Sequence, residues 1–201
     1  MAKNNQSSLG LITAAGLSQR MGQPKALLSW KGLTFIERLL RAFEGADFSR
    51  TVVTLPENHP ILVNIVDKYP VTIGHNPWPE LGMSGSIRWC LKNFPLHKFV
   101  IICPVDMPFV SSELLVKIAT ILRASTKPTI CIPRYRNKAG HPVSFSYQFF
   151  TQLIAAHGEG PKEIIKNNPQ ALHYVDWHDD KIVSNINTLN DYKRWTQHHA
   201  Q

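Results

Sequence analysis

Short apolar runs alternate with amphipathic stripes through the first two thirds of the chain, and this alternation limits the fold more than any other feature. Leu9 to Thr13 is a brief apolar run, as expected for a strand buried on both faces. Thr34-Phe-Ile-Glu37 has the form of a capping box, and Phe35, Ile36, Leu39, Leu40 and Phe43 follow at helical spacing. The rhythm then predicts a strand at Thr51 to Leu55, a helix from Ile61 to Asp67, a strand at Val71 to Gly74 and a helix from Met83 to Asn93. Lys98 to Cys103 reads as another buried strand, followed by a helix capped by Ser111 and running to Arg123. Thr129 to Pro133 reads as a fifth strand. Strands and helices in this order imply an α/β fold with an open, mostly parallel, Rossmann-like sheet, helices on both faces and right-handed crossovers.

After Pro133 the rhythm changes. Arg134 to Gly140 is a polar connection, and Pro142 to Ser146 reads as its returning strand. A helix around Phe149 to Ala156, a break at Gly158 to Pro161, a short helix and a strand at Leu172 to Val175 follow. Thr188-Leu-Asn-Asp191 resembles a second capping box opening a terminal helix. A chain of 201 residues supports one full core, and no linker divides it, so residues 1–201 are expected to form a single domain. With 43% hydrophobic and 18% charged residues the composition is that of a globular protein. No stretch has the length of a membrane span, and Met1 to Ser8 lacks the apolar segment of a secretory signal, so the expected location is the cytoplasm. Cys90, Cys103 and Cys131 are odd in number and widely spaced, which favours buried thiols over disulfides or a zinc site.

The chemistry concentrates after the first strand. Ile12-Thr-Ala-Ala-Gly-Leu-Ser-Gln-Arg-Met-Gly-Gln-Pro-Lys25 turns on small residues and carries two cations, Arg20 and Lys25. Backbone N–H groups in such a turn, with a guanidinium and an ammonium beside them, suit a polyphosphate. Two commoner phosphate loops are excluded. Five residues rather than four separate Gly16 from Gly22, Gln23 stands where a Walker loop needs Lys, and no Gly-x-Gly-x-x-Gly occurs.

Other segments follow predicted strands. Pro104-Val-Asp-Met-Pro-Phe109 places Asp106 beyond the carboxyl end of a buried strand, where open sheets bind ligands. A single carboxylate near polyphosphate suits Mg²⁺, which keeps several waters when bound; the competing reading is a turn between two prolines. Asn76-Pro-Trp-Pro-Glu-Leu-Gly-Met-Ser-Gly-Ser86 offers amides and hydroxyls for a base or ribose, against the alternative of a plain loop with Ser84 as helix cap. Gly140-His141-Pro142 marks a tight turn. Histidine spacing gives no metal site, and no Gly-x-Ser-x-Gly nucleophile occurs. The net charge of +8 attracts anions, but Lys and Arg are scattered, so a small anionic ligand explains it better than nucleic acid.

Together, Thr13 to Lys25, Asn76 to Ser86, Pro104-Val-Asp-Met-Pro108, Gly140-His-Pro142 and Asn185-Ile-Asn-Thr188 resemble the molybdenum cofactor cytidylyltransferase and guanylyltransferase family. The pieces occur in family order across nearly the whole chain. The resemblance implies the nucleotide-diphospho-sugar transferase type of fold and a nucleoside triphosphate held by the first loop. Ala14, Ala15, Gly16, Ser18, Arg20, Gly22 and Lys25 would bind it, with Asn76, Gly82, Ser84 and Ser86. Arg20 and Lys25 would lie on phosphates and Asp106 on Mg²⁺; these three would carry the chemistry. Gly140, His141 and Asn187 would contact the acceptor.

Ala15, Gly82-Met-Ser84 and Gly140-His-Pro142 resemble the cytidylyl branch. Two departures oppose this: Asn185-Ile-Asn187-Thr188-Leu189 replaces the Asp-x-Asp-Thr-Pro of cytidylyl members, and Glu159 replaces an Asp. The implied reaction is transfer of CMP from CTP to the phosphate of a molybdopterin-type acceptor, with release of pyrophosphate. A recipient molybdoenzyme or its chaperone is an implied partner; nucleic acid and membrane are not. Guanylyl transfer, transfer to a sugar or polyol phosphate, and a nucleotide-binding regulator without turnover are the alternatives.

Overall fold

The computed structural model describes residues 7–16, 22–157 and 160–198. In chain order the elements are β1 (Ser8–Thr13), β2 (Ser29–Trp30), β3 (Leu33–Thr34), α1 (Phe35–Glu44), β4 (Arg50–Leu55), α2 (Pro60–Val66), β5 (Thr72–His75), α3 (Met83–Asn93) and β6 (Phe99–Pro104). They continue as α4 (Ser112–Ala124), β7 (Ile130–Tyr135), β8 (Lys138–Ala139), β9 (Val143–Ser146), α5 (Phe150–Ala155), α6 (Pro161–Asn167), β10 (Leu172–Asp176) and α7 (Leu189–His198). The helices predicted from hydrophobic period and capping therefore form within a residue or two of their expected ends.

Local chemistry sets those ends. Thr34 accepts a hydrogen bond from the Glu37 amide while the Glu37 carboxylate accepts from the Thr34 amide, a reciprocal cap that starts α1. Ser111 caps α4 through the Leu114 amide. The second capping box also forms: Asp191 accepts from the Asn187 and Thr188 amides, and Thr188 Oγ1 accepts from the Asp191 amide. The short β2–β3 hairpin had no signal long enough to announce it.

Among the described residues one sheet runs in the order β10-β7-β9-β6-β1-β4-β5, with β8 paired to β7. β1 pairs in parallel with both β4 and β6, placing Thr13 opposite Thr54 on one side and Pro104 on the other. β9 is the exception inside the sheet. It lies antiparallel between β6 and β7, so these two parallel strands, consecutive apart from α4, never touch.

Alternate side chains feed two apolar layers. Ile12, Val53, Leu55, Phe99 and Ile101 pack with α1, α2, α4 and Trp195 of α7. Leu9, Leu11, Val52, Val100 and Ile102 pack with α3, α5 and α6. Cys90, Cys103 and Cys131 are buried free thiols, as expected. Burial pushes Cys90 and Cys131 up to about 12 and raises Cys103 as well, so none is a nucleophile at neutral pH.

β1 has room for the first layer only because residue 10 is glycine. A Cβ there would stand 2.7 Å from Cδ1 of the buried Phe43 ring and 3.1 Å from Phe48. Overpacking a core of this kind costs about 1–3 kcal/mol. Gly10→Ala should therefore lower unfolding free energy by roughly that amount in urea titrations, with the denaturant slope unchanged.

Candidate active site

The sheet order creates the site. From β1 the chain moves outward through α1 and α2 to β4 and β5, then returns through α3, on the opposite face, to β6 on the other side of β1. Loops leaving β1 and β6 thus diverge at a switch point, where open α/β sheets form a crevice beyond their carboxyl ends. The β1 loop begins with Ala14, whose amide donates to Thr54 O at 2.9 Å, and the Val105 amide donates to Thr13 O at 3.1 Å. Ala14 is buried, Ala15 is half-buried, and Gly16 and Gly22 are exposed. Gly22 takes φ 67°, a left-handed value that favours glycine. Ser18 and Arg20 lie outside the described residues.

Three predicted residues from distant parts of the chain meet here. Lys25 Nζ lies 3.0 Å from Asp106 Oδ2 and donates to Asn187 Oδ1 at 2.7 Å. Lys25 starts a short 3₁₀ turn, Lys25–Leu27, after Pro24. Asp106 sits in the turn leaving β6, and its backbone carbonyl accepts from the Ile186 amide at 3.1 Å. That bond ties the segment before α7 to the β6 loop and so brings in Asn187.

The second carboxylate oxygen of Asp106, Oδ1, is buried and has no hydrogen-bond partner among the described residues. A buried acceptor without a donor is costly unless a ligand satisfies it. It is the atom best placed to take a divalent cation. The described residues contain no group of three or more His, Cys, Asp or Glu that could hold a metal by themselves. One carboxylate fits a hard cation whose remaining ligands are phosphate oxygens and water, the usual habit of Mg²⁺.

Asn76 to Ser86 runs from the end of β5 into α3. The Asn76 side chain is committed within its own loop: Nδ2 donates to Gly82 O at 3.0 Å, and Oδ1 accepts from the Trp78 amide at 2.9 Å. Its role here is to shape the loop. Gly85 lets this happen, because a Cβ there would overlap the Asn76 side chain and the Trp78 carbonyl. Gly82, at φ 54°, is the residue preceding α3. The reading of Ser84 as the helix cap is thus corrected: the helix begins before it, and no side chain caps that end. Ser84 is buried against the backbone of Gly160. Ser86 is 1% exposed, so it offers almost nothing to a ligand.

Gly140-His141-Pro142 reaches the same edge because β9 runs antiparallel: Val143, at its start, faces Ile102 near the end of β6. Gly140 is needed where it stands, since a Cβ would collide with the Ile182 carbonyl. The His141 amide donates to that carbonyl at 2.9 Å. Burial holds the His141 imidazole below its usual protonation range; Asp106 opposes this and Lys162 reinforces it.

This architecture is that of an α/β protein of the nucleotide-diphospho-sugar transferase fold. Residues 10–173 match the MobA-like NTP transferase domain, and the chain belongs to that family. It is 33% identical over 109 residues to the molybdenum cofactor guanylyltransferase of Xanthomonas euvesicatoria pv. vesicatoria (strain 85-10), covering 54% of this chain and 52% of that protein. It is 26% identical over 188 residues to the molybdenum cofactor cytidylyltransferase of Escherichia coli (strain K12), covering 90% of this chain and 92% of that one. The chain spans about half the length of the guanylyltransferase relatives it matches. Among solved structures, that of Rv0371c from Mycobacterium tuberculosis H37Rv superposes with a TM-score of 0.80 at 24% identity, over 95% of this chain and 98% of that one. No described helix is long and apolar enough to cross a membrane.

The His141 shift gives a signed pH dependence. Unfolded, the imidazole takes a proton near 6.5; folded, it does so at lower pH. Its stabilising neutral form is fully present above pH 6.5 and is lost as pH falls through the folded value. His97 is shifted down, first by burial, and adds to the same loss. Melting temperature should therefore fall on acidification from about pH 7 to 5, and His141→Asn should flatten that slope, leaving the share due to His97.

Proposed function

We propose that this protein is a nucleotidyltransferase that moves CMP from CTP to the phosphate of a molybdopterin-type acceptor, releasing pyrophosphate. The observation that carries the proposal is the meeting of Lys25, Asp106 and Asn187 at the switch point, beside a glycine-bearing loop. Ala14, Ala15, Gly16, Ser18 and Gly22 are assigned to the triphosphate, with Arg20 and Lys25 as its cations. Gly82 and Ser84 form the wall for the nucleoside, held in shape by Asn76. Gly140, His141 and Asn187 are assigned to the acceptor side, and residues 1–201 to one catalytic domain acting in the cytoplasm.

Such a transfer needs positioning and charge stabilisation more than covalent help. An oxygen of the acceptor phosphate attacks the α-phosphorus, the bond from that phosphorus to the bridging oxygen breaks, and pyrophosphate leaves with the electron pair. The attacking phosphate is already ionised near neutral pH, so no general base is required. Lys25 offsets the charge that accumulates on the leaving group. Asp106 would hold Mg²⁺, which supplies charge neutralisation and Lewis acidity when bound. Asn187 steadies the Lys25 ammonium through its carbonyl oxygen and adds no negative charge to the site.

The choice of CTP is supported by the cytidylyltransferase relative, which matches along most of both chains, and by Ala15. Guanylyl transfer is the second reading. The guanylyltransferase relatives support it, as does Asn187 in place of a carboxylate. A recipient molybdoenzyme or its chaperone is the proposed partner for the product.

Thermal shift with CTP, GTP, ATP and UTP, each with and without Mg²⁺, separates these readings. A nucleotide at a hundred times its dissociation constant stabilises the fold by about 2.7 kcal/mol. CTP with Mg²⁺ should give the largest shift; a larger GTP shift would select the guanylyl reading. Asp106→Asn and Lys25→Ala should stay folded and lose most pyrophosphate release, on the order of a hundredfold or more. Near-normal rates in both variants would sink the assignment.

A further inference from the structure

We infer that Arg88 is a positioning residue for the nucleoside side of the site, joining the Asn76–Gly82 loop to the chain that links α5 and α6. The inference rests on the nucleotidyl-transfer reading and adds to it a residue that acts through the backbone.

Helical spacing supplies the first argument. Ser84, Arg88 and Lys92 recur about one turn apart along α3 and share one face of it. Ser84, in the first turn, lies against Gly160, where an added Cβ would overlap its Oγ. One turn on, Arg88 Nε donates to the Ile154 carbonyl at 2.8 Å, and Nη2 donates to the Ala156 carbonyl at 3.2 Å. Nη2 also lies 3.4 Å from His157 Nε2. The guanidinium carbon sits 5.5 Å from the centre of the Trp78 ring, as does Lys92 Nζ from the same centre. Arg88 thus contacts both segments that border the start of α3.

Both segments use such an anchor. α5 ends at Ala155, and Ala156 leaves it extended at φ −61° and ψ 136°, with no glycine to close the last turn. The carbonyls there need a donor, and a forked guanidinium serves two at once. The loop is shaped from within by short-range bonds: the Trp78 amide to Asn76 Oδ1, the Leu81 amide to the Trp78 carbonyl and the Gly82 amide to the Pro79 carbonyl. Arg88 joins that folded loop to α5. Gly82 ends the loop, and Ser84 carries the contact to Gly160. A shift of either segment would therefore move the residues assigned to the nucleoside.

The test uses the full chain as wild type, Arg88→Ala, Arg88→Lys and the control Asn93→Ala, which removes a hydrogen bond to the Trp89 carbonyl within α3. All are assayed well below their melting temperatures, with Mg²⁺ present. Pyrophosphate release with CTP or GTP and molybdopterin should show the nucleotide KM raised about tenfold in Arg88→Ala, with kcat and the acceptor KM changed by less than about twofold. Arg88→Lys keeps the charge but reaches one carbonyl, so it should show a rise of about threefold. This smaller rise carries the comparison if Arg88→Ala does not fold. Asn93→Ala should match wild type. Calorimetric titration with CTP and GTP in the absence of acceptor should show the same weakening. Amide exchange in Arg88→Ala should quicken at Trp78, Leu81, Gly82, Gly160 and Glu163 and stay unchanged in β1 and β6.

A lowered melting temperature with unchanged nucleotide KM and affinity would reduce Arg88 to a helix cap and overturn the inference. An equal loss in Asn93→Ala, or an acceptor KM raised as much as the nucleotide KM, would overturn it too. Wild type that binds nucleotide but releases no pyrophosphate would reject the reaction, and the titration alone would then decide the role of Arg88. Wild type that binds no nucleotide would overturn both.

Discussion

The parallel pairing of β1 with β6 is the constraint on which the rest of the site depends. Its register places Thr13 beside Pro104, so the loops after both strands leave from one edge. Because α1 and α3 cover opposite faces, the loops diverge there rather than fill the space. Shifting the register by one residue would turn Leu9, Leu11 and Ile12 toward the wrong layers. The apolar alternation that builds the two cores therefore also holds the loops in place. Stability and site geometry share one cause.

Within that crevice the Asp106 carboxylate organises the charges. One oxygen faces the Lys25 ammonium at 3.0 Å, and the other is buried without a donor. Both groups retain some solvent exposure, so the pair is worth less to the fold than a fully buried one. Its value lies in arrangement. Lys25 and Asn187 are 162 residues apart in sequence, and the bond between them connects the first loop to the segment before the last helix. The aromatic packing behind it supports the same connection: Phe109, just after the Asp106 turn, stacks on Trp195 of α7 at 3.7 Å.

Much of the fold was legible. The capping boxes at Thr34 and Thr188 announced helix starts because they depend on contacts three residues apart. Buried strands announced themselves as brief apolar runs. Asp106 and Lys25 stood out because their residue types and loop positions suit phosphate and metal. Local reasoning was weaker where two segments meet. Asn76 looked like a ligand-binding amide but spends both ends of its side chain on its own loop. Ser86 looked available and is buried.

Taken alone, the sequence determined the α/β class, the helix boundaries and the chemical character of the first loop, all of which follow from interactions spanning a few residues. Tertiary structure decided which loops share an edge. The insertion of β9 between β6 and β7, antiparallel to both, could not be read from its apolar residues, because a strand's pattern records that it is buried and not between which neighbours. That insertion brings His141 beside the Asp106 turn, and the folding back of residues 182–187 brings Asn187 to Lys25. Pairings across such distances depend on the whole chain packing at once, and no short stretch of residues contains them.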